Sequence, residues 1–240
     1  MSGHSKWSKI KHSKGSVDAK KSALFTKLGQ AIVIASREGG GDLDTNFKLR
    51  LVVERAKKAN LPKENIERAI KKGTGEIKGQ QIEELTYEAF GPEGSTFVIE
   101  VVTDNKNRSV TNIRKIFSKH GGNLGSQNSV LWMFNQLGVI RLKKELIAEK
   151  KEEWQLKFIE FGATDFKEEE EEFIIYFDFA HLQDLKEKIE KSGLEVESAE
   201  IEWIPKDPIE MKESQEKKVF AIFEELEEDP DIQNYYTNFN

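Results

Sequence analysis

Gly73–Gly79 reads GTGEIKG, three glycines in seven residues, and the chain obeys different rules on its two sides. Glycine offers no side chain to pack and leaves the backbone free, so such a run predicts a joint between domains. Upstream of it the apolar residues recur at helical spacing. Downstream they alternate as in strands, and this change of period decides the fold.

Upstream, Leu24 (or Phe25), Leu28, Ile32 and Ala35 fall at i, i+4, i+8 and i+11, one apolar stripe on a helix from about Val17 to Arg37. Gly39, Gly40 and Gly41 end it, and residues 42–46 form a turn with Asp44 or Thr45 available as a cap. A second helix, about Asn46 to Asn60, buries Leu49, Val52 or Val53, and Ala56, and turns Lys48, Arg50, Arg55, Lys57 and Lys58 outward. Pro62 suits the first turn of a third helix ending before Gly73, with Ile66, Ala69 and Ile70 inward and Arg68, Lys71 and Lys72 outward. Three amphipathic helices with short links predict a small bundle.

Downstream, strands are expected at Leu85–Phe90 and at Thr96–Thr103, the latter with Phe97, Ile99 and Val101 on one face, joined by a turn at 91–94. A helix follows from Arg108 to His120, closed by Gly121, and then a strand at Ser129–Phe134. From Gly138 the order is strand (Val139–Leu142), helix (Lys144–Phe161), strand (Thr164–Lys167), strand (Phe173–Phe179), helix (Leu182–Ser192), strand (Glu195–Ile204). That is β-α-β-β-α-β, the ferredoxin-like order. Pro205 and Pro208 stop the pattern. A last helix (Ser214–Glu227) and strand (Ile232–Tyr236) then lack partners unless they join the earlier strands. The fold class read here is α+β: an N-terminal three-helix domain (1–79) followed by two α/β domains. The second of these (136–204) is ferredoxin-like and inserted into the other, which is discontinuous (80–135 and 205–240). The acidic run Glu168–Glu172 is expected as a solvated hairpin tip.

The charge follows the same joint. The 240 residues carry a net charge of -6. Residues 1–80 hold 18 Lys/Arg against 8 Asp/Glu, net +10, and residues 81–240 hold 19 against 35, net -16. A basic segment on an acidic body points to a polyanionic partner for the segment alone. Cysteine is absent, which excludes a disulfide scaffold, thiolate metal sites and a cysteine nucleophile. No stretch approaches the ~20 apolar residues of a membrane span, and residues 1–10 are too polar for a signal-peptide core, so a cytoplasmic protein without a membrane partner is expected.

Ser2–Gly15, SGHSKWSKIKHSKG, has four Lys, two His, one Trp and no acid, and neither helical nor strand period. It reads as an extended arm. Lys6, Lys9, Lys11 and Lys14 can neutralise phosphates, Trp7 can stack on a base, and His12 lies among them. Lys20, Lys21, Lys27, Arg50, Lys57, Lys58, Lys71 and Lys72 form the second rank of nucleic-acid contacts. Asn107, Arg108 and Ser109, at a strand-to-helix turn, read either as an ordinary helix start or as a phosphate site built on a helix N-terminus. The four His have no metal-ligand spacing, no GxxxxGK[ST] loop occurs, and Gly121–Gly125 follows a helix rather than a strand. Neither a catalytic set, a metal, a cofactor nor a small-molecule substrate is indicated, and an enzyme is the weaker class.

Several stretches together are similar to one known family: GHSKWSKIKHSK (3–14), FTKL (25–28), GGGD (39–42), NLPKENIERAIKKG (60–73), YEAFGP (87–92), DNKNRS (104–109), FSKHGGNLG (117–125) and DIQNYYTNF (231–239). The chain thereby resembles the YebC/PmpR family, whose mitochondrial relatives are translational activators of a respiratory-chain subunit. Leu43 and Phe47 stand where that family often has proline, and Asn128 where glycine is usual. The resemblance implies three domains and a non-catalytic regulator of gene expression, either a DNA-binding transcriptional regulator or a ribosome-associated translation factor. The latter would bind rRNA or tRNA and relieve stalling at sequences such as proline runs. The residues add that no helix-turn-helix frame with base-reading Arg or Asn stands out, and that an arm of Trp and Lys suits RNA at least as well as duplex DNA.

Overall fold

The computed structural model describes residues 17–78 and 82–239, with side chains from Lys21 onward. The Gly79–Gln80 boundary falls outside these residues. The chain divides into two compact units, one built from the chain up to Met133 and from Pro205 onward, the other from Phe134–Ile204.

The first unit begins with three helices, α1 (Val17–Gly39), α2 (Phe47–Lys58) and α3 (Lys63–Gly73). Leu28, Ile32, Ala35, Leu49, Val53, Ala56, Ile66 and Ala69 form their common core, as the helical period requires. Asn46, rather than Asp44 or Thr45, caps α2. Its Oδ1 accepts the Leu49 N–H at 3.0 Å while its Nδ2 donates to the Ala35 and Gly40 carbonyls at 2.8 and 2.7 Å. A carboxylate has no donor, so only the amide can satisfy the end of α1 and the start of α2 together. At Gly73 a Cβ would lie 2.5 Å from the Val33 carbonyl oxygen, and this is where α1 and α3 approach backbone to backbone.

A four-stranded sheet follows, in the order β3-β1-β2-β8, from β1 (Glu83–Phe90), β2 (Thr96–Thr103), β3 (Asn123–Leu124) and β8 (Ile232–Thr237). Neighbours are antiparallel, with Tyr87 opposite Ile99 and Ile99 opposite Tyr235. Helices α4 (Lys106–Lys119) and α7 (Glu213–Glu228) cover one face. Phe97, Ile99 and Val101 meet Ile113, Phe117, Val219 and Phe223 there, with the Phe97 and Phe117 rings edge to face at 4.9 Å. The other face of β2 is buried as well, Val98 at 0% and Val102 at 3% exposure. Helix α1 contacts β2 and β8. Its Gln30 accepts from Gln233 at 2.9 Å, and Arg37 donates to the Ile82 carbonyl at 2.6 Å. The expected strand at 129–134 is instead a loop with a 3₁₀ turn at Leu131–Met133.

The second unit has β4 (Phe134–Lys143), α5 (Lys151–Phe161), β5 (Asp165–Glu168), β6 (Glu172–Phe177), α6 (Leu182–Lys191) and β7 (Ser198–Pro205). The sheet order β5-β6-β4-β7 is the ferredoxin-like arrangement, with the β5–β6 hairpin at one edge and β4 set between β6 and β7 by the two helical crossovers. The expected helix over 144–161 is two 3₁₀ turns followed by α5. Lys150, at φ -134°, interrupts it, and no side chain caps the start of α5. Phe158, Phe173, Phe177, Ile140 and Ile175 are fully buried, or nearly so, in this unit. On the opposite face Arg141 is clamped by both oxygens of Glu202, at 2.5 and 3.0 Å. Burial opposes the Arg141 charge, but the Glu202 carboxylate outweighs it and its pKa is raised. Burial and the same Glu202 push the Tyr176 phenol up to about 12.

Candidate nucleic-acid interface

The arm residues Lys6, Trp7, Lys9, Lys11, His12 and Lys14 lie outside the described residues, and of Lys20 only the helical backbone is described. The remaining cations occupy the three helices. Their positions follow from the amphipathic pattern, since a helix that buries one stripe must turn its long charged side chains to water.

Asn65, Arg68 and Lys72 recur at i, i+3 and i+7 on α3 and so share one face. That face and the residues Lys21, Phe25 and Gln30 of α1 line an open groove of about 590 Å³. Lys21 Nζ lies 5.5 Å from the centre of the Phe25 ring, a cation–π contact that aligns the aromatic face and the charge. Lys57, Lys71 and Lys72 are exposed, and among the described residues no ion pair neutralises them, nor Arg68. Lys58 is exposed also. The Arg50 guanidinium is half-buried and lies 5.7 Å from the Phe47 ring centre. Arg68 is the residue that sequence reasoning placed on the outer face without choosing it as a contact; its i+4 relation to Lys72 was the available signal.

Two foreseen contacts are otherwise engaged. Lys27 donates to the Glu227 carbonyl at 2.9 Å, at the last turn of α7, so its ammonium ties α1 to the α/β part. The phosphate site read at Asn107, Arg108 and Ser109 is filled by the chain itself. The Asp231 carboxylate, 2% exposed as a residue, accepts from Arg108 at 2.8 Å and from Ser109 Oγ at 2.7 Å. Thr103 Oγ1 adds a third bond at 3.1 Å, and the Asp231 bonds together raise the Arg108 pKa. An anion does bind at the N-terminus of α4, as helix-end physics favours, but it is a carboxylate brought from the start of β8. Asn105 caps the helix, accepting the Arg108 N–H at 3.1 Å.

Among the described residues no group of three or more His, Asp or Glu is placed to hold a metal ion, and no helix is long and apolar enough to cross a membrane.

Three cationic helices packed on an α/β unit that carries a ferredoxin-like insert define the class: an α+β protein with a basic helical head. Two family models match it, the TACO1/YebC N-terminal domain over residues 5–76 and the TACO1/YebC second and third domains over 82–239. The chain belongs to the TACO1/YebC family. It is 48% identical to a probable transcriptional regulatory protein of Thermoanaerobacter pseudethanolicus, across 99% of this chain and 96% of that one. A probable transcriptional regulatory protein of Geobacter sulfurreducens is 45% identical, across 100% and 96%. The crystal structure of a conserved hypothetical protein from Aquifex aeolicus superposes with a TM-score of 0.85 at 42% identity, covering 96% of this chain and 95% of that one.

Proposed function

We propose that this chain is a non-enzymatic, cytoplasmic regulator of gene expression that binds nucleic acid through residues 1–72. The observation that carries the reading is the set of exposed cations on α1, α2 and α3 (Lys21, Lys57, Arg68, Lys71 and Lys72) that no ion pair neutralises among the described residues, within a segment of net +10. The relatives named as transcriptional regulators support the regulatory role. On this reading the chain works as three domains, a basic head (1–79), a discontinuous α/β body (80–135 with 205–240) and an inserted ferredoxin-like domain (136–204). The net negative charge of the body as a whole disfavours phosphate and leaves the head as the main contact.

The partner's identity separates two forms of the proposal. A transcriptional regulator binds a defined promoter duplex at least ~10³-fold more tightly than random duplex. A ribosome-associated factor co-sediments with ribosomes and loses that association when residues 1–15 are removed. Phe25, half-buried beside Lys21 in the α1–α3 groove, favours the second form because an aromatic face stacks on unpaired bases. If the full chain binds neither duplex, RNA nor ribosomes at ~0.1 M salt, where surface charge is still felt, the proposal fails.

A further inference from the structure

The acidic body contains a stretch that breaks its own rule. Between Asp104 and Glu145 run forty residues with eight Lys or Arg and no Asp or Glu. The other 120 residues of 81–240 hold 11 cations against 35 acids, net -24. Five of the eight cations lie on α4: Lys106, Arg108, Arg114, Lys115 and Lys119. Helix stability explains at most Lys119, which lies in the last turn, where the helix dipole favours a cation. The first turn of α4 contains no acid, although a helix N-terminus favours negative charge by about 0.3–1 kcal/mol per group.

The five divide by direction. Arg108 is bound to Asp231, and Lys119 to Glu225 of α7 at 2.8 Å. Those two are neutralised within the fold. Arg114 and Lys115 are exposed on the side away from the core residues Ser109, Ile113, Ile116 and Phe117. At 3.6 residues per turn they flank a polar stripe of Asn107, Thr111 and Ser118, also exposed. Among the described residues neither Arg114, Lys115 nor the exposed Lys106 has a hydrogen-bond or ion-pair partner. This face has no exposed apolar side chain; Val110, the nearest, is half-buried. A protein-binding face needs an apolar or aromatic centre with charge kept to its rim, whereas cations among small polar groups match a phosphate–sugar backbone.

We propose that the outer face of α4 is a second contact surface for the phosphate backbone of nucleic acid, distinct from the basic head. The inference rests on the nucleic-acid reading of the preceding section and extends it into the acidic body, where net charge alone would exclude it. Electrostatic neutralisation is local, and the adjacent Arg114 and Lys115 are felt by a phosphate within about one Debye length whatever the distant charge.

The test uses the full chain and two fluorescein-labelled probes, a 40-nucleotide hairpin RNA and a 40-base-pair duplex DNA, with Kd followed from ~0.05 to ~0.2 M salt. Each neutralised phosphate contributes about 0.7–0.9 to the slope of log K against log salt. The variant Lys106→Gln/Arg114→Gln/Lys115→Gln is expected to raise Kd for the preferred probe about tenfold or more near ~0.1 M salt, and to lower the slope by about 2–3. Its melting temperature should be that of the wild type, because the three side chains are exposed. Arg114→Gln/Lys115→Gln, which leaves the first turn intact, should lower the slope by about 1–2. A control, Lys188→Gln/Lys191→Gln/Lys217→Gln, removes the same charge from α6 and α7 and should change neither quantity. The inference is overturned if the α4 variants keep wild-type Kd and slope while Arg68→Gln/Lys72→Gln loses binding, or if the control weakens binding equally. Failure of the wild type to bind either probe would instead overturn the underlying reading.

Discussion

Glu88 is a carboxylate buried at 4% exposure in β1, and among the described residues no cation faces it. Three backbone N–H groups hold it: Asn128 and Val130 at 2.5 Å and Leu131 at 2.7 Å. The loop over 125–131 is therefore wrapped around an internal anion, a backbone nest whose charge comes from the sheet. Closing that nest puts Asn128 at φ 63°, in the left-handed region, and explains the asparagine where the resembling family has glycine. Two outcomes follow at this scale. Glu88→Gln turns an amide NH₂ toward backbone donors and should cost about 2–3 kcal/mol in urea denaturation. Asn128→Gly should stay within about 0.5 kcal/mol of wild type, whereas Asn128→Val should lose about 1–3 kcal/mol, because a β-branched residue is strained at positive φ. Equal stability of the Gly and Val variants would refute the strain argument.

The β5–β6 hairpin carries the acidic run at its tip, as its sequence reads, and adds ion pairs that no local pattern shows. Glu168–Glu172 reads as a solvated acidic tip, yet its first member is held by the Lys144 ammonium at 2.5 Å and by Lys151 at the start of α5. Those hydrogen bonds hold the Glu168 carboxyl down at about 2, from an ordinary 4.5. A depressed carboxyl contributes stability that is complete above its unfolded pKa and is lost as pH falls through the folded one. The contribution of Glu168 should therefore vanish between about pH 4.5 and pH 2. NMR titration should place its carboxyl near the lower limit, and Glu168→Gln should flatten the acid-side loss of stability in that window. A Glu168 resonance titrating near 4.5 would remove the ion-pair account. The helix expected from Lys144 begins later, for Lys144 belongs to a 3₁₀ turn and Lys151 opens α5.

At the scale of the molecule, the ends of the first unit's gap lie side by side. The Lys206 N–H donates to the Met133 carbonyl at 2.9 Å, and Lys206 Nζ to the Trp132 carbonyl at 2.7 Å. A chain that leaves and returns at one point can accommodate an insertion without strain in the host. Replacing residues 134–204 by a short Gly-Ser linker should leave a cooperatively unfolding protein with the nucleic-acid affinity of the full chain. A molten product, or one without that affinity, would show that the insert is part of the host's core or of its interface. The basic head, by contrast, is not expected to survive excision cleanly. α1 contacts β2 and β8 and donates to the Glu227 carbonyl through Lys27, so its removal should uncover part of that sheet.

Local period and local charge were enough to read most of the elements and their order, though not the short β3 or the loop that replaces the strand expected at 129–134. The 3.6-residue stripes of α1–α3, the alternation in β2 and the β-α-β-β-α-β order of the insert are properties of neighbouring residues, and so is the division into +10 and -16. The Asn107–Ser109 turn was legible as a helix start for the same reason. Tertiary structure decided what those local features meet. Asp231 reaches the N-terminus of α4 from 123 residues beyond Arg108, and no spacing rule links the two. Lys27 looks like any surface lysine until the backbone carbonyl of Glu227, 200 residues away, accepts its hydrogen bond. β2 alternates as though half-exposed, yet both of its faces are buried once the chain has folded, with α1 in contact with the strand. A helix or strand signal repeats every few residues because the backbone does. Which charge is neutralised and which is left for a partner depends on groups that meet only when the chain has folded.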